Sequence, residues 1–298
     1  MSEPTTPTTP TGQIHDIGYR HYDGPRLGAR YIARSLFVDT LRGTFGLGRS
    51  ARSKIMPFVL AAVLVLPTIA IGIVTSYFKL TTLPLGYTSY AFSFQVVITI
   101  FLGAQAPAAM SRDLRFRVAP LYFSRPLSRQ QYVRAKYAGM TTALFILVGV
   151  PITLLFVGAW LADLPFDEQW PDYLRSMAGA AVLALVLAGI GLVVAAMTPR
   201  RGLGVAAVVG VLLVLSGIQA TVRAMAEEFG NDTFAGYAGL ISPFTLVDGI
   251  MSGPLGAESV MATPPQGVLM ATVYCLVAVL LVVGSYAALV RRYGKALS

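Results

Sequence analysis

Long apolar runs separated by short polar gaps set the rhythm of this chain. Six of them, near Ile55 to Tyr77, Thr88 to Met110, Tyr137 to Trp160, Ser176 to Met197, Leu203 to Val222 and Val268 to Val290, stand out. Each approaches or exceeds the roughly 20 residues that a helix needs to cross a hydrocarbon core. The pattern predicts an all-α polytopic membrane protein with six transmembrane helices. Pro67, Pro107 and Pro151 fall inside the runs and predict kinks, which a bundle tolerates because neighbouring helices re-satisfy the freed carbonyls. Ala180, Ala184 and Ala188 place small side chains on one face of the fourth run, a stripe that lets another helix approach closely.

A different periodicity precedes the first run. From Arg26, Leu27, Tyr31, Val38, Leu41 and Phe45 fall on helical steps, while Arg26, Arg30 and Arg34 recur every four residues. This predicts an N-terminal amphipathic interfacial helix whose arginines reach toward lipid phosphates. Ile32, Leu36 and Phe37 widen its apolar face and leave an ordinary cytoplasmic helix open as the alternative. Ahead of it, MSEPTTPTTPTG has no apolar core, so a disordered polar tail is expected rather than a cleaved secretory signal. The expected organisation is 1–25 as a polar cytoplasmic segment, 26–54 as the amphipathic helix and linker, 55–290 as the six-helix domain and 291–298 as a cytoplasmic tail.

Composition agrees: 55% of residues are hydrophobic and 12% charged, where a soluble domain carries roughly a quarter charged. The net charge of +9 would suggest nucleic acid if it formed one face of a folded soluble domain, but the basic residues fall in the gaps between apolar runs. Topology and a lipid bilayer explain them, and no nucleic-acid partner is expected. If the runs alternate in direction, 20 of the 23 Lys and Arg lie on one side and nine of the 14 acids on the other. That bias predicts an even number of crossings with both termini cytoplasmic. Cys275, alone in an apolar run, can form neither an intrachain disulfide nor a metal cluster. His15, Asp16, His21 and Asp23 are conceivable metal ligands, with simple solvation as the alternative.

No Asp, Glu, Lys, Arg or His falls well inside a run; Gln95, Gln105 and Gln219 are the strongest polar groups there and are candidate pathway residues. Ion-coupled carriers usually need buried ionisable groups, so a neutral pathway weakens ion coupling and suits an apolar or amphipathic cargo. The connection from Arg223 to Gly267 alternates apolar patches with Gly and Pro, and predicts an extracellular helical hairpin that caps or dips into the outer leaflet. Within it Asn231-Asp232-Thr233 matches a glycosylation sequon, a weak signal without a secretory context.

The most informative gap is Ser111 to Lys136, SRDLRFRVAPLYFSRPLSRQQYVRAK, in which seven cations face one acid, Asp113. It predicts a cytoplasmic loop between the second and third spans. Ser128 and Gln131 form a capping-box pattern behind Pro126, so the third span should start near Arg129 and run unbroken into the membrane. Residues 113–123 can form a short helix broken at Pro120, offering Leu114, Tyr122 and Phe123 to a partner's groove. A purely topological loop would need the charges but neither the aromatics nor the cap.

In order, the six spans, the basic amphipathic segment, this loop with its Ser-Arg-Pro-Leu-Ser-Arg, and Ser242-Pro243-Phe244 before the last span resemble the ABC type-2 transporter permeases, mostly bacterial exporters. HDIGYRHYDGPR, from His15 to Arg26, is similar to an N-terminal motif of an actinobacterial-looking subset. The resemblance implies a coupling loop in which Asp113, Arg115, Arg117, Tyr122, Arg125, Pro126, Ser128, Arg129 and Lys136 dock a cytoplasmic ATPase. Leu114, Arg115, Phe116 and Arg117 depart from the Gly-Thr that often follows the family's acid. It also implies a second permease subunit, identical or a paralogue, over two ATPase copies. This chain has no phosphate-cradling G-x-x-x-x-G-K-[ST] loop, so ATP and magnesium belong on the partner and the chain is expected to be neither an enzyme nor a cofactor carrier. Two other readings stay open. A membrane-embedded lipid-modifying enzyme would need a cluster of reactive side chains, for which Asp163, Asp167, Glu168 and Asp172 are the densest acids, more simply read as solvated. A non-transporting membrane anchor would share the docking loop.

Overall fold

The computed structural model describes residues 18, 24, 27–115, 127–198 and 200–295, the side chains of 111–115, 201 and 295 excepted. The expected tail, the metal candidates His15, Asp16, His21 and Asp23, and the expected break at Pro120 lie outside the described residues. The elements are α1 (Ala29–Thr44), α2 (Ala51–Phe78), α3 (Tyr87–Ser93), α4 (Gln95–Arg115), α5 (Arg129–Leu161), α6 (Phe166–Met197), α7 (Arg201–Glu228), α8 (Asp232–Ala238), α9 (Pro243–Ser252) and α10 (Gly267–Lys295). No strand occurs among the described residues. Five helices, α2, α5, α6, α7 and α10, are each long and apolar enough to cross a membrane, and the bent pairs α3–α4 and α8–α9 pass the same test when taken together.

Small residues fix how the helices pass one another. Gly103 of α4 faces Val205 and Val209 of α7, and Pro107 faces Gly204, so these two run antiparallel. Gly149 meets Met177 and Gly189 meets Tyr137, which makes α5 and α6 antiparallel, whereas Gly72 and Gly158 bring α2 and α5 together in the same direction. Successive long helices therefore alternate. One end of the bundle gathers α1, the starts of α2 and α5 and the ends of α4, α6 and α10. The opposite end carries α3, α8 and α9. At the centre stands α6: 61% of its most apolar window is buried, against 17% for α2, α7 and α10, which turn apolar side chains outward. The stripe Ala180, Ala184 and Ala188 is buried as its spacing predicts.

Three expectations need correction. The run Thr88 to Met110 is not one straight helix; it breaks at Phe94 with a bend of 58°. Polar contacts hold the short α3 aside: the Tyr90 hydroxyl donates to the Leu64 carbonyl of α2, and the Tyr87 hydroxyl donates to Gln169 Oε1 of α6 at 2.8 Å. Next, α6 begins at Phe166, well before its apolar run, with Asp167 and Glu168 in its first turn. Both acids are exposed, as the solvated reading has it, and unpaired N–H groups there favour negative charge, so they belong to a helix start. Finally, α1 starts at Ala29, past Arg26, and packs through Leu36, Thr40 and Thr44 while Leu27 and Tyr31 are more than half exposed. The packed face is set by Gly139 of α5, where an added Cβ would lie 2.8 Å from Thr40 Cβ. Thr40 and Thr44 bury their hydroxyls by donating to the Leu36 and Thr40 carbonyls at 2.7 and 2.8 Å.

Candidate functional site

At the α1 end the sequence motif around Ser128 becomes geometry. Ser128 Oγ accepts from the Gln131 N–H at 3.2 Å and the Ser128 N–H donates to Gln131 Oε1 at 3.0 Å, a complete capping box. From this cap α5 runs 33 residues without interruption, through Pro151. The Tyr132 ring lies 5.0 Å from that of Tyr293 on α10, and the Tyr293 hydroxyl reaches the Met110 carbonyl at 3.4 Å. Starts and ends of α4, α5 and α10 are thereby locked to one another.

Lys136, expected among the docking residues, is drawn into the bundle. It lies two turns inside α5, only 5% exposed, with Nζ donating to the Ala109 carbonyl at 3.0 Å and sitting 5.7 Å from the Tyr132 ring centre. A side chain so enclosed supports the α4–α5 contact. The expected loop 111–136 is correspondingly shorter, since α4 extends to Arg115 and α5 begins at Arg129. Asp113 and Arg115 are placed by backbone in the last turn of α4, and Arg117, Tyr122, Arg125 and Pro126 lie outside the described residues. Ser128 and Arg129 are exposed beside the cap. Arg134 is exposed too, its Nε donating to the Tyr286 hydroxyl at 3.2 Å.

Arg30 and Arg34 stand on the outer side of α1; Arg34 lines an open groove of about 600 Å³ with Tyr31, Ser35, Val38, Asp39 and Arg42. Arg26, the third of that set, lies outside the described residues. The three glutamines do not meet. Gln105 lines a small void with Asp39, Thr40 and Lys136 at the α1 end. Gln95 and Gln219 lie toward the opposite end, carried there by the antiparallel register of α4 and α7. Each leaves a buried amide atom without a hydrogen bond, Oε1 in Gln95 and Nε2 in Gln219.

No family model matches the chain, and no curated protein matches it.

At the hairpin end the structure buries a residue that the charge pattern had only counted among the acids of one side. Asp248 is 2% exposed in α9, where Oδ2 accepts from Ser259 Oγ at 2.6 Å and Oδ1 from the Val260 N–H at 3.1 Å. The sequence did hold the signal, an acid between Leu246, Val247, Ile250 and Met251. Other polar groups close the hairpin: Thr245 Oγ1 donates to the Gly239 and Ser242 carbonyls, and Ser242 Oγ lies 3.1 Å from Ser216 Oγ of α7. Asn231, the sequon residue, caps α8 by accepting from the Phe234 N–H at 3.0 Å. The turn between α8 and α9 is 120°.

Proposed function

We propose that the chain is the transmembrane permease subunit of an ATP-driven transporter of the ABC type-2 kind. Six spans cross a bacterial cytoplasmic membrane, α3 and α4 forming one broken span and α8 and α9 an extracellular hairpin. The α1 end faces the cytoplasm, as the excess of Lys and Arg at that end supports. The observation that carries the reading is α5: a capped start, tied to α4 and α10, continuous with a helix of 33 residues. At 1.5 Å per residue such a rod is about 50 Å long, enough to carry a push at Arg129 to the far surface.

In this mechanism a cytoplasmic ATPase, present in two copies and holding ATP and magnesium, docks on Asp113, Arg115, Arg117, Tyr122, Arg125, Pro126, Ser128 and Arg129. Closure of the ATPase pair draws these segments together, tilts α2 and α5, and opens the interface with a second permease subunit, identical or a paralogue. The cargo is hydrophobic or amphipathic, passes beside Gln95 and Gln219, and is exported. ATP shifts this equilibrium only as far as the two states differ in their affinity for it. The test is purification from a host that carries the neighbouring genes. A stoichiometric ATPase that co-purifies and is lost on Arg125→Glu or Arg129→Glu supports the reading. An intact, folded chain that recovers no ATPase contradicts it.

A further inference from the structure

Between α3, α5, α6 and α9 the hairpin end encloses a void lined by Tyr87, Thr88, Ile152, Ser176, Phe244 and Asp248, among others. About 10 Å³ of it is open to the centre of a water molecule, which is room for about one water. Two side chains point to an occupant. Ser176 is 2% exposed and its Oγ makes no hydrogen bond, although a buried hydroxyl without a partner is unfavourable. Asp248 accepts from Ser259 on one carboxylate oxygen and from Val260 on the other, with the Met261 N–H close enough to favour it too, whereas a carboxylate offers about four acceptor sites. The void thus adjoins a hydroxyl with no partner and a carboxylate with acceptor capacity left over.

We propose that this void holds one ordered water that donates to the Asp248 carboxylate and accepts from Ser176, with the Tyr87 and Thr88 oxygens as its further partners. The water makes Asp248 the hub of three parts: its own helix α9, the return segment through Ser259 and Val260, and α6 through Ser176. A bare cation fits the site poorly. Hard cations take about six oxygen ligands or more, and four side chains with oxygen line the void. The inference stands apart from the transport reading, since it concerns only how the hairpin is seated.

Hydroxyl-radical footprinting of the full chain in lipid nanodiscs, with rapid mixing into H2(18)O, tests it. Radicals made from an internal water label side chains that bulk solvent does not reach, and Met251 and Phe244 line this void at 5% and 4% exposure. The expected result is labelling of Met251 and Phe244 several-fold above that of Met140, which is fully buried elsewhere, with slow uptake of the heavy isotope. Ser176→Val, which fills the void, should abolish that excess while labelling of the exposed Met56 stays unchanged. Labelling of Met251 and Phe244 no greater than that of Met140 overturns the proposal. So does an excess that survives Ser176→Val, or one that disappears when sodium is replaced by choline.

Discussion

The two ends of the bundle handle polar groups in opposite ways. At the α1 end charge lies mostly on the surface: Arg30, Arg34, Arg42, Arg129 and Arg134 are exposed, and the buried Lys136 donates a hydrogen bond to the Ala109 carbonyl of a neighbouring helix. At the hairpin end Ser242, Thr245 and Asp248 are buried at 2% exposure or less and bonded mainly to nearby segments of the hairpin. At the first end Lys136 and Tyr293 tie long helices to one another; at the second the buried polar groups hold a short helical pair in a sharp turn. An exposed cationic rim on a rigid support is a surface suited to contact with a partner, whereas a carboxylate sealed under a bent hairpin is suited to holding a shape.

Substitutions at the two ends sharpen the contrast, beginning with the largest effect. Asp248→Ala leaves the Ser259 hydroxyl and Val260 N–H without their acceptor and should cost about 3 kcal/mol. Thermal unfolding in detergent reads this, and Asp248→Asn, which keeps an acceptor, should lose less. Gly139→Leu forces α1 off α5, because Thr40 Cβ and the Phe37 carbonyl stand 2.8 and 3.2 Å from an added Cβ. Overpacking of this kind costs about 2 kcal/mol, and limited proteolysis should cut α1 faster while the hairpin resists as before. Equal protection of α1 in the variant would mean that the helix does not rest on α5. Ser128→Ala removes one half of the capping box and should cost about 1 kcal/mol, with faster amide exchange confined to the first turn of α5. Smallest is Arg175→Ala. Its 2.9 Å pair with Asp172 is solvent-exposed, so a change under about 0.5 kcal/mol is expected.

Much of the helical pattern was legible because apolar period and length carry it. The Ser128–Gln131 cap and the buried stripe on α6 were readable from residue type and spacing alone. What the pattern missed depends on tertiary partners. Phe94 has no Pro or Gly beside it, so the break there is visible only once Tyr90 is seen to reach α2 and Tyr87 to reach α6. The buried face of α1 was chosen by Gly139, nearly a hundred residues away in sequence, and no periodicity within α1 could select it. Lys136 was read with the loop because counting charges does not say where a side chain ends; its stem enters the bundle to reach the Ala109 carbonyl. Asp248 was only counted with the acids of its side for the same reason, despite its apolar neighbours. The candidate site itself was legible only as chemistry, since most of the expected docking residues between α4 and α5 lie outside the described chain.

Photo-crosslinking addresses the division between the ends most directly. A photoreactive amino acid replaces Arg129 at the α1 end or, separately, Phe234 in α8, in cells that express the chain with its neighbouring genes. A crosslink from position 129 to a nucleotide-binding protein, with none from position 234, is the expected result. Crosslinks from position 234 to such a protein, or from position 129 to lipid alone in every nucleotide state, would contradict the account.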